Sequence, residues 1–430
     1  MKKLIHEVRD AVHGFILFSN FEKQLINSPP FQRLRHIHQL AMSYQIYPGA
    51  SHKRFEHSLG VMEIATRIFN TITLEHNLEL VFERIKEHKD QLNYWRTLVR
   101  CAGLLHDVGH PPFSHASEKA LWPPGKTHET LTADIIRNSE LATILDGNTP
   151  PVKPENVVRL ACDVKKHKDI IAGPLTPWET LLNEIISGNT FGADRIDYLL
   201  RDSLHTGVPY GRFDPDRLIS NLRIVIDPET DEIALGLDYG GIHAAESLLL
   251  ARYFMYTQVY FHDVRRIYDI HLTDFLKVSL PNSRLPETWQ DLLKLTDNDI
   301  LVKLCQASDS PGLPIHVLAD RIVKRNHFRT VYEMVRPDIE KNPSIFNELK
   351  QYATTQFGKD NVRFYWYSPG QEVNNFPVLL EDNSVASSLK ISKVIAQLPE
   401  IQIGYIFVAN DIITDAKKAI EAKRRELIPS

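Results

Sequence analysis

The amino-acid sequence predicts a mainly α-helical protein with a short β-hairpin and a smaller α/β lobe at its C-terminal end. Three observations support this fold class. Apolar residues recur at spacings of three and four from about residue 30 to about residue 320, which is the period of an amphipathic helix. A single hairpin signal interrupts that pattern. From Asn326 onward, strand-like and helical runs alternate.

The helical part contains one predicted hairpin. Two β-rich runs, 222–226 and 232–237, flank a polar turn at 227–231 that includes Pro228, and such an arrangement favours antiparallel pairing. The helices are predicted, in chain order, at 55–72, 95–106, 128–138, 178–187 and 191–203, with a long pair within 242–279.

The last hundred residues have a different pattern. Strand-like runs at 362–367, 376–380 and 404–409 precede a charged helix at 411–427, and this mixture favours a small α/β lobe. We therefore divide the chain into an N-terminal segment (1–50), a helical core (51–325) and a C-terminal α/β lobe (326–430).

Composition and charge exclude several classes of protein. The formal net charge of −4 over 430 residues gives no overall positive field, which argues against strong non-specific binding of nucleic acid. Cys101, Cys162 and Cys305 form no CxxC pair, so we expect a reducing cytoplasm and no disulfide framework. The sequence also lacks the apolar run of a signal peptide or a membrane span. We expect a cytoplasmic protein with no membrane contact.

Histidines and aspartates form a pattern that indicates a metal site. Eight of the 19 histidines lie between His52 and His128. His57 stands early in a predicted helix, an apolar helix runs directly into His106-Asp107, and Asp194 follows far along the chain. Two imidazoles and two carboxylates suit a divalent cation such as Mn, Fe, Zn, Mg or Co and leave positions open for water and substrate. A single such histidine would more often be a helix cap or a core residue.

The motifs that contain these residues resemble a known family. RFEHSLG, HDVGHPPFSH and DRIDYLLRD, in this order, are similar to the HD-domain phosphohydrolases. FQRLRHIHQL and YPGASHKRFEHSLG bring the chain closest to the SAMHD-like and dGTPase-like deoxynucleoside triphosphate triphosphohydrolases, over about residues 7–280. The resemblance implies an HD-domain catalytic core with one divalent metal ion per site, held by His57, His106, Asp107 and Asp194.

The segment after His106-Asp107 carries candidate acid–base residues. Pro111-Pro112 prevents a regular helix, so His110 and His115 lie on a fixed loop. A fixed donor is needed because the proton must reach the leaving oxygen within hydrogen-bond distance. His115 is the candidate donor, oriented by Glu118, where the family usually has Asp. His128 forms a second polar wall of the site. His110 either takes part in acid–base catalysis or only hydrogen-bonds loop carbonyls.

Basic and aromatic residues supply candidate substrate contacts. Arg54 stands one helical turn before His57, a position suited to bidentate contact with phosphate. Phe261 departs from the SAMHD-like pattern, which has Gln at that position. The resemblance implies triphosphate contacts by Arg54, Arg195 and Arg252, and sugar or base contacts by Gln39, Leu40, Tyr198, Asp202 and Tyr260.

The N-terminal segment resembles the nucleotide-activator region of SAMHD-like tetramers. Gln32 and Arg35 match that region, while Asn27 and His6 replace an Asp and a basic phosphate contact. Two interpretations remain: the segment binds a nucleotide activator, or it is only an oligomer contact. The resemblance implies a homotetramer or homodimer.

The reaction implied is hydrolysis of deoxynucleoside triphosphates to a deoxynucleoside and inorganic triphosphate, by attack of water at the α-phosphate with a histidine as general acid. One alternative is another HD-type reaction, as phosphodiesterase, nucleotidase or nuclease. The other is a catalytically silent protein that binds nucleotides or single-stranded nucleic acid.

Overall fold

The computed structural model describes residues 5–85, 90–164, 166–228, 230–368 and 375–428, and these residues form a mainly α-helical protein. The strands are β1 (Ile5–Asp10), β2 (Gly14–Ser19), β3 (Leu222–Ile226), β4 (Ile233–Asp238), β5 (Arg329–Glu333), β6 (Val362–Tyr367), β7 (Pro377–Leu379), β8 (Val385–Ser387) and β9 (Ile403–Val408). The helices are α1 (Asn20–Asn27), α2 (Pro29–Gln32), α3 (Arg54–Ile72), α4 (Glu75–Leu78), α5 (Phe82–Ile85), α6 (Leu92–Leu105), α7 (His115–Leu121), α8 (His128–Asn138), α9 (Glu140–Asp146), α10 (Pro154–Ala161), α11 (Pro177–Ser187), α12 (Ala193–Thr206), α13 (Pro215–Ser220), α14 (Ile242–Met255), α15 (Asp263–Ser279), α16 (Trp289–Leu292), α17 (Asp297–Ser308), α18 (Pro314–Val323), α19 (Arg336–Lys341), α20 (Ile345–Phe357), α21 (Ser388–Ile391), α22 (Lys393–Ala396) and α23 (Ile413–Leu427).

The centre of the core is the packing of α3 against α6 and α12. α3 is buried around most of its circumference, and α6 is buried from Leu98 to its last residue. Helices that are apolar on all sides lie inside a protein. The functional motifs on α3, α6 and α12 are therefore held by buried elements.

The predicted helices are present, with small differences at their ends. α8 has the predicted bounds, and α3 begins one residue earlier than expected. The predicted long pair is α14 and α15, joined by a π-helical turn at Tyr256–Tyr260. Such turns occur often at functional sites. In the part of the chain that the structure describes, no helix combines the length and the apolar character needed to cross a bilayer.

The predicted hairpin is confirmed, and it belongs to a larger sheet. β3 pairs antiparallel with β4, with Leu222 opposite Leu237. β4 also pairs in parallel with β7, and β7 pairs antiparallel with β8. Val378 of β7 packs in the main hydrophobic core. This segment lies within the predicted C-terminal lobe but packs on the helical core. The sequence did not indicate this packing, because the local sequence of a strand does not specify its pairing partner.

The C-terminal lobe has a second sheet and a core of its own. Its strands are arranged in the order β5-β9-β6, all antiparallel. α20 and α23 pack together against this sheet, and their buried residues form a separate hydrophobic cluster.

A second hairpin, near the N-terminus, was not predicted from the sequence. β1 and β2 pair antiparallel from Ile5 opposite Ser19 to Asp10 opposite Gly14. β2 places Phe15 and Leu17 toward solvent on either side of the buried Ile16, so its apolar run lacks the alternation of apolar and polar residues that identifies a strand in a sequence.

Candidate metal centre and active site

Three helices bring the predicted metal ligands together. His57 lies in the first turn of α3, His106 and Asp107 directly follow α6, and Asp194 lies in the first turn of α12. His57, His106 and Asp107 form a group whose ligand atoms all lie within 4.8 Å of one another. Asp194 approaches the same two histidines from the more exposed side.

The distances between these ligand atoms fit one cation. His57 Nε2 lies 3.0 Å from Asp194 Oδ1 and 3.7 Å from Asp107 Oδ2. His106 Nε2 lies 3.3 Å from Asp107 Oδ1 and 3.7 Å from Asp194 Oδ1. Ligands about 2.1 Å from a metal lie roughly 3.0–3.4 Å apart when adjacent, so these spacings need only small adjustments.

Hydrogen bonds at Nδ1 orient the rings of His57 and His106 so that Nε2 of each ring faces the other ligand atoms. His57 Nδ1 is 2.7 Å from Asp197 Oδ2, and His106 Nδ1 is 2.9 Å from the Gly103 carbonyl. With Nδ1–H donating, Nε2 keeps its lone pair for a metal. The buried Nε2 of His106 has no hydrogen-bond partner among the described residues, as expected of a ligand atom.

The charge balance of the group also fits a cation. Burial opposes protonation of His57, but hydrogen bonds to Asp194 and Asp197 outweigh it and raise the pKa of His57 to about 10. Burial raises the pKa of Asp107, but Arg54 and the nearby histidines outweigh it, and the net pKa is lowered. The carboxylates therefore remain charged and favour a positive charge at His57 Nε2, where a bound divalent cation would displace the proton and take over its role.

The loop after Asp107 is held tightly against α8. A Cβ on Gly109 would overlap the carbonyl of His128 and lie 2.6 Å from Thr132 Oγ1, so only glycine fits. Phe113 donates its N–H to Asp297 Oδ1 over 2.7 Å, and Arg33 donates to the His110 carbonyl over 2.9 Å. These bonds fix the loop that carries the candidate acid–base histidines.

Two of those histidines are stacked on each other with opposite electrostatic environments. The rings of His110 and His128 lie 3.9 Å apart. Burial and the charge of Arg54 lower the pKa of His110, whose Nε2 lies 3.1 Å from Asp107 Oδ1. Burial also opposes protonation of His128, but Glu118 outweighs it and raises the pKa. Glu118 lies 3.0 Å from His128 Nδ1. The side chain of His115, the predicted donor, lies outside the described residues.

Of the three predicted phosphate contacts, Arg54 touches a predicted metal ligand directly. Arg54 is buried, forms an ion pair with Asp107 and donates from Nε to Ser114 Oγ over 2.7 Å. Arg195 is half-buried and donates to the Asn189 carbonyl. The guanidinium of Arg252 lies 5.5 Å from the centre of the Tyr256 ring.

Three of the predicted sugar contacts, Tyr198, Asp202 and Tyr260, form one cluster. Tyr260 donates its hydroxyl to Asp202 Oδ2 over 2.7 Å, and the Tyr198 and Tyr260 rings meet edge to face at 6.0 Å. Burial raises the pKa of the Tyr198 hydroxyl, whose charged neighbours include Arg195, Arg252 and Asp194. Tyr198 also follows the predicted metal ligand Asp194 by one helical turn on α12, which connects this cluster to the predicted metal site.

Gln39, Leu40 and Phe261 complete the predicted set. Gln39 is half-buried, and its buried Oε1 has no hydrogen-bond partner among the described residues. Leu40 is buried. Phe261, at the position where the SAMHD-like pattern has Gln, is buried against Tyr365 and Tyr367 of β6 and so faces the C-terminal lobe.

The activator-like residues lie at or near the surface. Arg35 is exposed, with its guanidinium 3.5 Å from the centre of the Phe55 ring, and it donates to Gln32 Oε1 over 2.9 Å. His6 Nε2 lies 2.7 Å from Asn20 Oδ1, and Asn27 is exposed.

Sequence reasoning missed four residues that support the site. Asp197 lies on the same face of α12 as Asp194, and this spacing was the only sequence signal for its role. His52 Nε2 lies 2.7 Å from Asp202 Oδ1 and so holds the carboxylate of a predicted sugar contact. His13 and Arg201 hydrogen-bond Asp197. The i,i+4 spacing of Asp197 and Arg201 within DRIDYLLRD is a local signal for the second contact, whereas no local motif indicated the first.

Comparison with known proteins agrees with this geometry. The HD domain model matches residues 54–202, and the HD-associated region model matches residues 213–356. The chain is 34% identical over 368 residues to the Mycoplasma pneumoniae protein named "Uncharacterized protein MG461 homolog", covering 80% of this chain and 77% of that protein. The chain belongs to the HD-domain phosphohydrolase family.

Two further relatives show how far the similarity of this HD-domain phosphohydrolase extends. A crystal structure of a hypothetical protein from Aquifex aeolicus matches with a TM-score of 0.77 and 34% identity, covering 96% of this chain and 99% of that chain. Human "Deoxynucleoside triphosphate triphosphohydrolase SAMHD1" is 30% identical over 361 residues, which is 76% of this chain and 55% of that protein.

Proposed function

We propose that this HD-domain phosphohydrolase cleaves deoxynucleoside triphosphates to a deoxynucleoside and inorganic triphosphate. The observation that carries the proposal is the order of side chains on α12, where Asp194, Tyr198 and Asp202 recur every four residues. Successive members of this series lie about 6 Å apart along one helix face. The metal-binding carboxylate would lie beside the phosphates of a nucleotide. The aromatic ring and the second, buried carboxylate follow it along the helix and would lie beside the sugar.

Positive charge near the metal ligands supports a phosphate-bearing substrate. His57, His106, Asp107 and Asp194 would hold a divalent cation, which would supply Lewis-acid charge beside the α-phosphate. Guanidinium groups bind phosphate oxygens in bidentate geometry. In this proposal Arg54, Arg195 and Arg252 hold the triphosphate, with the reacting phosphorus beside the metal ligands.

The departing 5′-oxygen needs a proton, because an alkoxide is a poor leaving group. His115 is the proposed donor, since it begins α7 directly after the fixed loop. His128 is the second acid–base residue, because Glu118 favours its protonated form. His110 is held in its neutral form by burial and Arg54, so its proposed role is to accept a hydrogen bond.

The sugar side supports selection of deoxyribose. In the proposal, the ring of Tyr198 packs on the sugar and Asp202 accepts the 3′-hydroxyl, with Gln39 and Leu40 as further sugar or base contacts. The hydrogen bond from Tyr260 to Asp202 fixes the Tyr260 ring. A fixed, buried ring beside C2′ leaves no room for a 2′-hydroxyl.

Product analysis tests the proposal. The four deoxynucleoside triphosphates, singly and mixed, are incubated with Mn²⁺, Mg²⁺, Fe²⁺, Co²⁺ or Zn²⁺, and the products are separated by anion exchange. Inorganic triphosphate is the expected product. His106→Ala should be inactive, whereas the matched control His243→Ala, an exposed histidine bonded to Glu246, should be unaffected.

Other products would favour the alternatives. Monophosphate or pyrophosphate would indicate a different HD-type reaction. No turnover with any metal, together with salt-dependent fluorescence anisotropy of a labelled oligonucleotide, would indicate a catalytically silent binder.

We also propose that the protein is a homotetramer or homodimer and that nucleotides bind the N-terminal segment as activators. Stimulation of hydrolysis in the nucleotide mixture, beyond the sum of the separate rates, would support activation. Analytical ultracentrifugation with and without nucleotide measures the oligomeric state, and a monomer under both conditions would contradict this part of the proposal.

A further inference from the structure

The N-terminal hairpin reaches the metal centre through one buried hydrogen bond. His13 lies in the turn between β1 and β2, and its Nε2 is 2.6 Å from Asp197 Oδ1. The side chains of His13 and Asp197 are 4% and 0% exposed. The two residues are 184 positions apart in the chain, and their contact joins the hairpin to α12 at Asp197, which also hydrogen-bonds the metal ligand His57.

Asp197 uses its full capacity to accept hydrogen bonds. Oδ1 accepts from His13 and from Arg201 Nη2, and Oδ2 accepts from His57 Nδ1 and from Arg201 Nε. A carboxylate has about four lone-pair sites, so all of them are occupied. The carboxylate therefore has one orientation, and that orientation sets the ring of the metal ligand His57.

The hairpin turn is also linked to Asp197 through Asp10 and Arg201. Asp10 Oδ1 accepts from the backbone N–H groups of Val12 and His13, each over 2.9 Å. Asp10 Oδ2 accepts from Arg201 Nη1 over 2.8 Å. Arg201 thus bridges the turn and Asp197, and the position of His13 is fixed at both its backbone and its ring.

We propose that His13 is a positioning residue for the metal centre. It holds one oxygen of Asp197 so that the other oxygen keeps His57 Nδ1 bonded and His57 Nε2 directed at the cation. The inference rests on the proposed function only in requiring that the site binds a metal. Groups that orient a metal-ligating histidine through its second nitrogen change metal affinity when they are removed.

Two variants of His13 test the proposal. Both place a side-chain amide at this position, but at different distances from the backbone. In His13→Gln the amide nitrogen extends about as far as Nε2, whereas in His13→Asn it is one carbon too short. Mn²⁺ affinity of the metal-free full chain is measured by isothermal titration calorimetry without nucleotide, and Co²⁺ absorption reports the ligand geometry. Circular dichroism checks the fold. Arg9→Ala, on the exposed face of the same hairpin, is the control.

We expect His13→Asn to weaken Mn²⁺ binding about tenfold, the lower end for groups that orient ligands, and to alter the Co²⁺ spectrum. His13→Gln and Arg9→Ala should stay near wild type. Equal affinities for the Asn and Gln variants, whether both normal or both weakened, would overturn the proposal. If His13→Asn does not fold, His13→Ala takes its place in the same comparison.

Failure of the inference and failure of the proposed function have different signatures. A wild type that binds Mn²⁺ but releases no triphosphate contradicts the function, and the role of His13 is still decided by the affinities. A wild type that produces triphosphate while the Asn and Gln variants bind Mn²⁺ equally contradicts only the inference. A wild type that binds none of Mn²⁺, Mg²⁺, Fe²⁺, Co²⁺ and Zn²⁺ contradicts both.

Discussion

Replacing Gly60 with alanine should destabilise the protein, although alanine is the better helix former. Gly60 lies on α3 one turn after His57. A Cβ at this position would overlap Asp197 Oδ1. It would also lie only 2.6 Å from Asp197 Cγ and 2.5 Å from Arg201 Nη2. The Asp197 carboxylate must therefore move, and this movement would break its hydrogen bonds to both His13 and His57.

The expected magnitude follows from opposing contributions. Exchange of glycine for alanine inside a helix stabilises by about 1 kcal/mol. A hydrogen bond to a charged group contributes about 1.5–3 kcal/mol, so loss of two costs about 3–6 kcal/mol. The free energy of unfolding of Gly60→Ala should fall by about 2–5 kcal/mol.

Urea unfolding of the metal-free protein, followed by far-ultraviolet circular dichroism, measures this change. Titration with Mn²⁺ measures the accompanying loss of affinity, since His57 loses its fixed orientation. A Gly60→Ala protein as stable as wild type, with unchanged Mn²⁺ affinity, would refute the proposed packing of Asp197 against α3.

Four further predictions concern the site and its supports. His106→Ala should lose its bound metal, measured by plasma mass spectrometry, and its turnover, with an unchanged circular dichroism spectrum; retained metal would contradict the ligand assignment. Chelation with EDTA should abolish turnover of the wild type and added Mn²⁺ should restore it, whereas activity that survives exhaustive chelation would exclude a required metal. Tyr260→Ala should raise the rate on ribonucleotides relative to deoxynucleotides by about 10-fold or more. Tyr260→Phe, which keeps the ring but loses its hydrogen bond to Asp202, should preserve more of the preference than Tyr260→Ala; equal ratios in both variants would remove the steric argument. Glu22→Gln should cost about 3 kcal/mol of stability at pH 7, because buried Glu22 is paired with Arg100. Burial raises the pKa of Glu22, but Arg100 outweighs it and lowers the pKa below its ordinary value of 4.5. The stabilisation is therefore present above about pH 4.5 and lost as the pH falls through the lowered pKa; a difference between wild type and variant that persists undiminished in acid would contradict this.

The sequence by itself determined the features that depend on neighbouring residues. The helical spacing of α8 and the turn signal between β3 and β4 are local patterns, and the structure has both. The four proposed metal ligands could be named for a similar reason, since each lies in a short motif that can be read without knowing its neighbours in space. The structure then brings these motifs together.

Only the tertiary structure decided how those local pieces support one another. The contacts of Asp197 with His57 and His13 span 140 and 184 positions, and β7 leaves the C-terminal lobe to pair with β4. A hydrogen bond or a strand pair forms between groups that packing brings within about 3 Å. Residue spacing along a chain encodes the period of a helix or strand, but it does not encode which distant element that helix or strand will meet.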